Sequence, residues 1–430
     1  MSTAPSSPDE EKRSLNHPEP GQTETNVAPD GGLRAWLVAA GAAAIFFSTL
    51  GLANSFGAFE SYYIRHQLSS ESESTISWIG SLQSFLQFFS GLLGGPLFDR
   101  YGSMLTWRIP QVIYPSAIAY VFAIMMLSLC TNYWQTMLVQ GVLMGLVMGF
   151  LQIPAFAAVS QYFDKRRAAA LGIAVSGSSI GGIIMPIILS KMLNASTIGF
   201  AWTVRIIGFV ILPFMLFACI AIKPRLPPRK TRLFLWAPYK QPRFLLLVAA
   251  LFFMFIGMFT PFFYLTSYAM SRGMGAALAG YLLALVNATS TLGRIVPGIL
   301  ADRYGRLNIF ATGGISTGVV IFCMTAATSN AGLIVYALFF GFASGTIVSG
   351  ASAAFASCPK DARDIGTYMG MGMAVAGVGG LIGPPINGAI LDAYGEYLRV
   401  CVFSGVMAVV GGVIAFVAKM GTDEGVWGRS

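Results

Sequence analysis

Twelve long apolar stretches constrain this chain more than any other feature of its sequence. A helix needs about 20 apolar residues to cross the hydrocarbon core of a bilayer, whereas a membrane-spanning β-strand needs only about ten alternating residues. With 55% hydrophobic and 10% charged residues, the chain is also far greasier than soluble domains. The sequence predicts an all-α integral membrane protein with twelve transmembrane helices, near residues 34–58, 75–98, 106–130, 134–158, 169–190, 200–222, 243–269, 276–300, 308–328, 331–355, 366–390 and 397–418.

The polar segments between these stretches give an orientation. Residues 1–33 are rich in Pro and Ser and predict a disordered tail, 223–242 form a basic linker, and 419–430 form a second tail. Counted with the adjoining helix ends, 21 of the 27 lysines and arginines fall on the side that holds both tails. By the positive-inside rule this side is cytoplasmic, so both termini are predicted there. The same asymmetry accounts for the net charge of +9 without nucleic-acid binding.

Two pairs of similar segments indicate an internal duplication. "GPLFDRYG" at 95–102 and "GILADRYG" at 298–305 place Asp99 and Asp302 203 residues apart. "GIAVSGSSIGGIIMP" at 172–186 resembles "GMGMAVAGVGGLIGP" at 370–384, 198 residues later. Paired halves around a central site are common in secondary transporters. We therefore predict two pseudo-symmetric six-helix bundles, residues 34–222 and 243–418.

The two DRYG segments resemble the G-x-L-x-D-R-x-G signature of the major facilitator superfamily. The resemblance implies a gate that latches the two halves together on the cytoplasmic side. An aspartate can accept hydrogen bonds from the amides of a neighbouring helix N-terminus, and an arginine can pair across the interface. The simpler alternative is a tight turn whose glycines adopt positive φ. The candidate gating residues are Asp99, Arg100, Gly102, Asp302, Arg303 and Gly305.

Two further motifs resemble the monocarboxylate porter family, in the style of its fungal members. "PDGGLRAW" precedes the first apolar stretch, and "YFDKRRAAALGIAVSG" at 162–177 leads into the fifth. Its basic residues Lys165, Arg166 and Arg167 join the gating set, although "DKRR" could serve only as a positive-inside anchor.

The chain departs from this family where its animal members are thought to bind substrate and protons. The family arginine of the eighth span is kept as Arg294, but Ser290 stands where the acid is expected, and the first span offers Asn54 and Ser55 in the lysine region. All carboxylates fall in tails, loops or helix ends, and the histidines are His17 and His66. Proton-driven carriers usually need a titratable group within the membrane, so we predict that transport is not obligatorily proton-coupled.

Arg294 is the principal candidate for the substrate site. It lies eight residues before Asp302, about 12 Å deeper at 1.5 Å per residue. A charge near mid-membrane costs at least ~2.5 kcal/mol, and no span supplies an acidic partner, so a substrate carboxylate is its predicted counter-ion. Alternatively the arginine snorkels or bonds helix carbonyls. The other candidate contacts, each of which could instead be a helix–helix hydrogen bond, are Asn54, Tyr264, Asn287, Ser290 and Tyr368.

These features predict a transporter and not an enzyme. The five scattered cysteines suggest neither disulfides nor a metal site, and no cofactor motif or nucleophile–base set is present. Asn194 begins a glycosylation sequon. We expect a monomer in the cell membrane or a vacuolar membrane, moving a small organic, carboxylated metabolite by alternating access. Export of a secondary metabolite, uptake of a nutrient or vitamin-like solute, and a non-transporting sensor remain the alternatives.

Overall fold

The chain folds into a bundle of helices. A computed structural model describes residues 28–101, 112–195, 198–226, 236 and 238–421, and every regular element in these ranges is helical. Ten helical stretches there are long and apolar enough to cross a membrane. Each of the twelve apolar stretches contains helix within its described residues. Glu73–Tyr101 lies outside those ten, and Ile113–Leu127 has only 15 residues.

The described residues of the first part of the chain form ten α-helices. They are α1 (Gly32–Ser48), α2 (Leu50–Ala53), α3 (Phe56–Tyr62), α4 (Glu73–Phe89), α5 (Gly91–Tyr101), α6 (Ile113–Leu127), α7 (Tyr133–Thr136), α8 (Gly145–Tyr162), α9 (Arg167–Ala195) and α10 (Gly199–Ala221). Wider π-helical turns continue α3 over Tyr63–Gln67 and join α7 to α8 over Met137–Met144.

The described residues of the second part form seven α-helices after a short turn, Pro238–Lys240. They are α11 (Pro242–Met258), α12 (Thr260–Ser271), α13 (Ala276–Tyr304), α14 (Arg306–Phe322), α15 (Asn330–Ala356), α16 (Ile365–Tyr394) and α17 (Tyr397–Met420).

The first helical stretch is bent and longer than predicted. It is interrupted at Thr49 and again at Asn54 and Ser55, and it continues to Gln67, nine residues beyond the expected end. The Tyr63 hydroxyl donates to Gln140 Oε1 at 2.7 Å, which fixes the added turns against the helix that follows α7. Glu60 therefore lies half-buried on a helix instead of at its end.

Glycines bring helices from the two parts of the chain into backbone contact. A Cβ atom added to Gly95 of α5 would lie 2.0 Å from the Gly366 carbonyl oxygen of α16, and one added to Gly370 would lie 2.0 Å from that of Gly91. Between α9 and α13, a Cβ on Gly172 would meet the Arg294 carbonyl oxygen at 2.3 Å. Only small residues permit such close crossings. The two seams, α5–α16 and α9–α13, join residues before 222 to residues after 243.

The end of the predicted tail is held against the bundle. The Asp30 amide donates to Tyr162 O at 3.1 Å, and its carboxylate accepts from the Asp164 amide at 2.6 Å. Asp30 adopts φ of +51°, a conformation that Asp tolerates better than most residues. Helix α1 then begins at Gly32, two residues before the first predicted apolar stretch. The motifs "PDGG" and "YFDKRR" thus touch each other.

Candidate functional site

Asp99 links its own helix to the first turn of a distant one. It lies in the last turn of α5, 4% exposed, and its Oδ2 accepts from the Thr367 amide at 2.6 Å and the Thr367 hydroxyl at 2.7 Å. Oδ1 accepts from the Gly366 amide at 3.2 Å. These donors belong to the N-terminus of α16, where unpaired amides and the helix dipole favour an anion.

Asp302, in the second part of the chain, makes the matching contact to a helix of the first part. It lies in the last turn of α13 and accepts from the Ala168 amide at 3.0 Å and the Ala169 amide at 2.9 Å, at the N-terminus of α9. Each part of the chain thus supplies an aspartate to a helix of the other part. We call these two contacts the latches, and the end of the bundle that holds them the latch end.

Two arginines outside the DRYG motifs also make contacts beside the latches. Arg306 lies 3.6 Å from Asp302 Oδ1 and also donates to Asp164 O. Arg167 donates to Ala356 O at 2.9 Å, across the interface at the C-terminal end of α15, where a cation is favourable. The remaining basic candidates are exposed at this end: Arg100, Lys165, Arg166 and Arg303.

The glycines of the DRYG motifs fit the turn interpretation as far as they are described. Gly305 ends α13 with φ of +99°, a value suited to glycine. Gly102 lies outside the described residues. The simple-turn alternative therefore holds for Gly305, while the aspartate three residues earlier makes the inter-helix contact.

Arg294 is buried in the α9–α13 seam, only 7% exposed. Its Nη1 donates to Val175 O at 2.9 Å and to Ser178 Oγ, both on α9. One of its three nitrogens thus bonds a helix carbonyl, as the alternative interpretation expected. No salt-bridge partner for it occurs among the described residues.

The other edge of the same guanidinium group is unpaired among the described residues. Arg294 Nε is buried without a hydrogen-bond partner, and Nη2 has none among the residues that the structure describes. Nε and Nη2 together form one of the paired-donor edges that bind a carboxylate through two parallel hydrogen bonds. The arginine therefore retains an unpaired, buried positive charge with a bidentate edge.

A polar contact lies two helical turns from Arg294. Asn54 Nδ2 donates to Asn287 Oδ1 at 3.4 Å, joining the bend of the first stretch to α13. Gly182 of α9 packs against both amides, since a Cβ there would lie 2.8 Å from Asn287 Oδ1 and 2.9 Å from Asn54 Nδ2. Seven residues separate Asn287 from Arg294, about 10 Å along the same helix face.

The other predicted substrate contacts, Ser290, Tyr264 and Tyr368, do not take part in the Asn54–Asn287 contact. Ser290 Oγ is buried without a partner and faces Gly345 of α15. The Tyr264 hydroxyl donates to Pro384 O at 2.9 Å, within the second part of the chain. Tyr368 accepts from Gln241 Nε2 at 2.8 Å and packs on Phe244, one residue beyond the latch at Thr367. Tyr368 is thus close to the latch end, and the structure does not bring it to Arg294.

Two remaining predictions concern glycosylation and metals. Asn194 lies in the last turn of α9, and Ser196 of its sequon lies outside the described residues. Within the described part of the chain, no group of three His, Cys, Asp or Glu side chains could hold a metal ion.

Several residues at these contacts escaped the sequence analysis. Ser178, Thr367, Arg306 and the aspartate Asp30 act through partners more than 100 residues away. A usable signal existed for one feature: the 203-residue offset that pairs Asp99 with Asp302 also pairs Gly91 with Arg294. At these equivalent positions, the α5–α16 seam therefore has a glycine and the α9–α13 seam has an arginine.

Comparison with known proteins agrees with this architecture. The family model for the Major Facilitator Superfamily matches residues 41–306 and 282–428. The aspyridones efflux protein apdF of Emericella nidulans is 49% identical over 95% of this chain and 82% of its own length. The agnestins efflux protein AgnL12 of Paecilomyces divaricatus is 41% identical over 91% of this chain and 89% of its own.

Solved structures share the fold at low sequence identity. The transporter FucP, crystallised in an outward conformation, superposes with a TM-score of 0.70 at 16% identity, over 89% of this chain and 99% of that chain. The human organic anion transporter MFSD10 gives a TM-score of 0.69 at 14% identity, over 90% and 100% of the two chains.

The long apolar helices and the family match together define a multi-pass membrane transporter. Proteins of this class bind small molecules within the membrane and are not enzymes. The chain belongs to the major facilitator superfamily, and relatives from fungi are named as efflux proteins.

Proposed function

We propose that this protein exports a carboxylated secondary metabolite by alternating access, as a fungal-type member of the monocarboxylate porter family. The substrate acid binds the Nε–Nη2 edge of Arg294, and the two latches close the cytoplasmic side of the bundle. The proposal combines a buried cation that lacks an acidic partner with relatives whose names describe efflux of aspyridones, agnestins and fujikurins.

The unpaired edge of Arg294 is the observation that carries the substrate class. A buried guanidinium without a counter-ion is unfavourable, and Nη1 bonded to α9 leaves the other two nitrogens for a ligand. A carboxylate offers the matching pair of acceptors. The Asn54–Asn287 contact supplies donors and acceptors about 10 Å away, which suits an acid with a second polar group. Ser290, Tyr264 and Tyr368 remain weaker candidates.

The topology we propose follows the charge distribution. Twelve helices span the membrane as two six-helix bundles, 34–222 and 243–418, joined by the linker 223–242, with both termini in the cytoplasm. The exposed basic residues at the latch end favour this orientation, because cytoplasmic loops retain lysine and arginine. We further propose a monomer in the cell membrane that binds no nucleic acid, with the vacuolar membrane as the alternative.

The test compares the distribution of metabolites with and without the transporter. Cells that lack the gene should retain an organic acid that wild-type cells release, and wild-type protein but not Arg294→Ala should restore its release. Uptake would instead leave the acid in the medium of the deleted strain. A sensor would give no movement of that acid in proteoliposomes containing the purified protein, and would overturn the proposal.

A further inference from the structure

Arg294 and Ser178 form a short hydrogen-bonded chain between the two parts of the molecule. Arg294 Nη1 donates to Ser178 Oγ and, at 2.9 Å, to Val175 O. The Ser178 hydroxyl in turn donates to Val175 O at 2.8 Å. Ser178 and Val175 are both fully buried on α9.

This arrangement gives Nη1 two acceptors on α9. A guanidinium group has five N–H donors in a fixed plane, so holding Nη1 also fixes the direction of the other two nitrogens. Those two, Nε and Nη2, have no hydrogen-bond partner among the described residues. Ser178 therefore determines which edge of the arginine is consumed by protein and which edge remains for a ligand.

The neighbouring serine shows that this role belongs to one position. Ser179 is equally buried, yet its hydroxyl has no hydrogen-bond partner. Burial on this helix therefore does not by itself give a serine hydroxyl a hydrogen-bond partner. The chain itself supplies a control with the same residue type, helix and burial.

We propose that Ser178 is a positioning residue that orients Arg294 for an organic acid. The inference rests on the proposed function, because it assumes that Arg294 binds the acidic group. Without the Ser178 hydroxyl, Nη1 keeps only the Val175 carbonyl, and the guanidinium plane can rotate about that single contact. Affinity for an acid should fall, while affinity for an uncharged analogue should change little.

The experiment measures binding of dansylglycine and its uncharged amide, dansylglycinamide, to purified full-length protein by fluorescence titration. Ser178→Ala should raise the Kd of dansylglycine about three- to tenfold and leave that of dansylglycinamide nearly unchanged. Ser179→Ala should match wild type for both probes. Ser178→Thr, which restores a hydroxyl, should recover part of the lost affinity if its melting temperature shows that it folds.

A double-mutant cycle separates positioning from structure. On an Arg294→Ala background, Ser178→Ala should have no further effect on dansylglycine, because no guanidinium remains to be oriented. An equal loss on both backgrounds, or a loss for both probes, would assign Ser178 a purely structural role and overturn the inference.

The failure of the proposed function would look different. If wild-type protein did not prefer dansylglycine to dansylglycinamide, or if Arg294→Ala bound both as wild type does, the acid site itself would be rejected. If Arg294→Ala lost the preference and Ser178→Ala kept it, only the positioning role would be rejected.

Discussion

The close backbone contact between helices at Arg294 has a counterpart elsewhere in the molecule that contains no arginine. At the mate position, Gly91 brings its backbone against Gly370, and the Arg294 backbone meets Gly172 in the same manner. The seam between helices thus depends on the backbone at both places, and the arginine adds a charged side chain to one of them. Substitutions at Arg294 should therefore alter ligand binding more than helix packing.

Removing the arginine should weaken binding of an acid strongly. Arg294→Ala loses a bidentate, charge-assisted contact worth at least ~1.5–3 kcal/mol, or roughly ten- to a hundredfold in affinity. Arg294→Lys should recover only part of it, since an ammonium group cannot reproduce the planar pair of donors. Equilibrium binding of dansylglycine should rank wild type above Arg294→Lys and Arg294→Ala below both.

Arg205 provides a matched control for this ranking. It also lies within an apolar helix, where its Nε donates to Ser128 Oγ at 3.0 Å and its guanidinium stacks over Trp202. Arg205→Ala should leave affinity for the acid unchanged. Acid affinity that is equal in wild type and Arg294→Ala would show that the arginine only bonds α9.

At the scale of helices, each latch replaces a local cap by a distant one. The N-termini of α9 and α16 receive carboxylates from α13 and α5, so the capping interaction exists only while the two parts are in contact. An ordinary capping residue stabilises a helix in every conformation. These two stabilise one arrangement of the bundle, and the difference makes them suitable gates.

Neutralising a latch aspartate should slow transport without preventing insertion. Asp99→Asn and Asp302→Asn each lose the favourable charge–dipole interaction, worth about 0.3–2 kcal/mol, and present an N–H₂ group to backbone donors. We expect reduced flux at normal abundance, measured in proteoliposomes. Asp392→Asn, exposed near the opposite end of α16, is the control. Normal flux in both latch variants would remove their gating role.

Cys358 offers a direct measure of the latch end. It lies two residues after Ala356, whose carbonyl oxygen accepts from Arg167. Burial raises the pKa of its thiol to about 11, although the nearby Arg243 acts to lower this pKa. The reactive thiolate is therefore scarce at neutral pH. In a variant whose only cysteine is Cys358, latch substitutions should speed its labelling by a maleimide, because opening exposes the thiol and lowers its pKa.

The glycine seam should be as sensitive as the latches. Gly95→Ala would place a methyl group 2.0 Å from the Gly366 carbonyl oxygen, so α5 and α16 must separate. Overpacking of this kind costs about 1–3 kcal/mol, which should lower the melting temperature of the latched state and speed labelling of Cys358. Gly57→Ala, whose added Cβ would meet nothing within 4 Å, should do neither. Equal behaviour of the two variants would contradict the seam.

The sequence predicted the helices better than the contacts between them. The length of an apolar stretch predicts a helix because a bilayer requires every backbone polar group to be bonded within the protein. The predicted end of a helix was wrong where a contact with another part of the chain extends it, as where Tyr63 bonds Gln140. Asp99 and Asp302 were predicted from the duplicated DRYG motif, and Arg294 was predicted because a charge in an apolar span is conspicuous. Ser178 and Thr367 are ordinary helical residues, and their importance depends on which distant helix lies opposite.

For the molecule as a whole, the positions of its acids bear on the driving force. Asp99 and Asp302 are bound to helix N-termini, and Glu60 lies on the extended first stretch, beyond the bend at Asn54. None of the three contacts Arg294 by a salt bridge within the described residues. Within the described residues, the proposed substrate site therefore has no carboxylate paired with Arg294 that could exchange a proton.

Transport should proceed without an imposed proton gradient. In proteoliposomes loaded with the exported acid, substrate should run down its own gradient at equal internal and external pH. Glu60→Gln should transport under the same conditions, which addresses the acid that lies on a helix instead of at its end. Strict dependence on a pH gradient, with proton movement tracking substrate, would show obligatory coupling.

The reciprocal latches have the symmetry of an isologous dimer interface, in which the same surface serves twice. A dimer of one six-helix unit would form both latches from a single aspartate and a single helix N-terminus. Such a dimer could not carry an arginine in one seam and a glycine in the other, because every residue would appear in both. Joining the two copies in one chain removes that constraint. In the proposed two-bundle architecture, the covalent link would thus permit the two latches to stay symmetric while one seam alone acquires a charge.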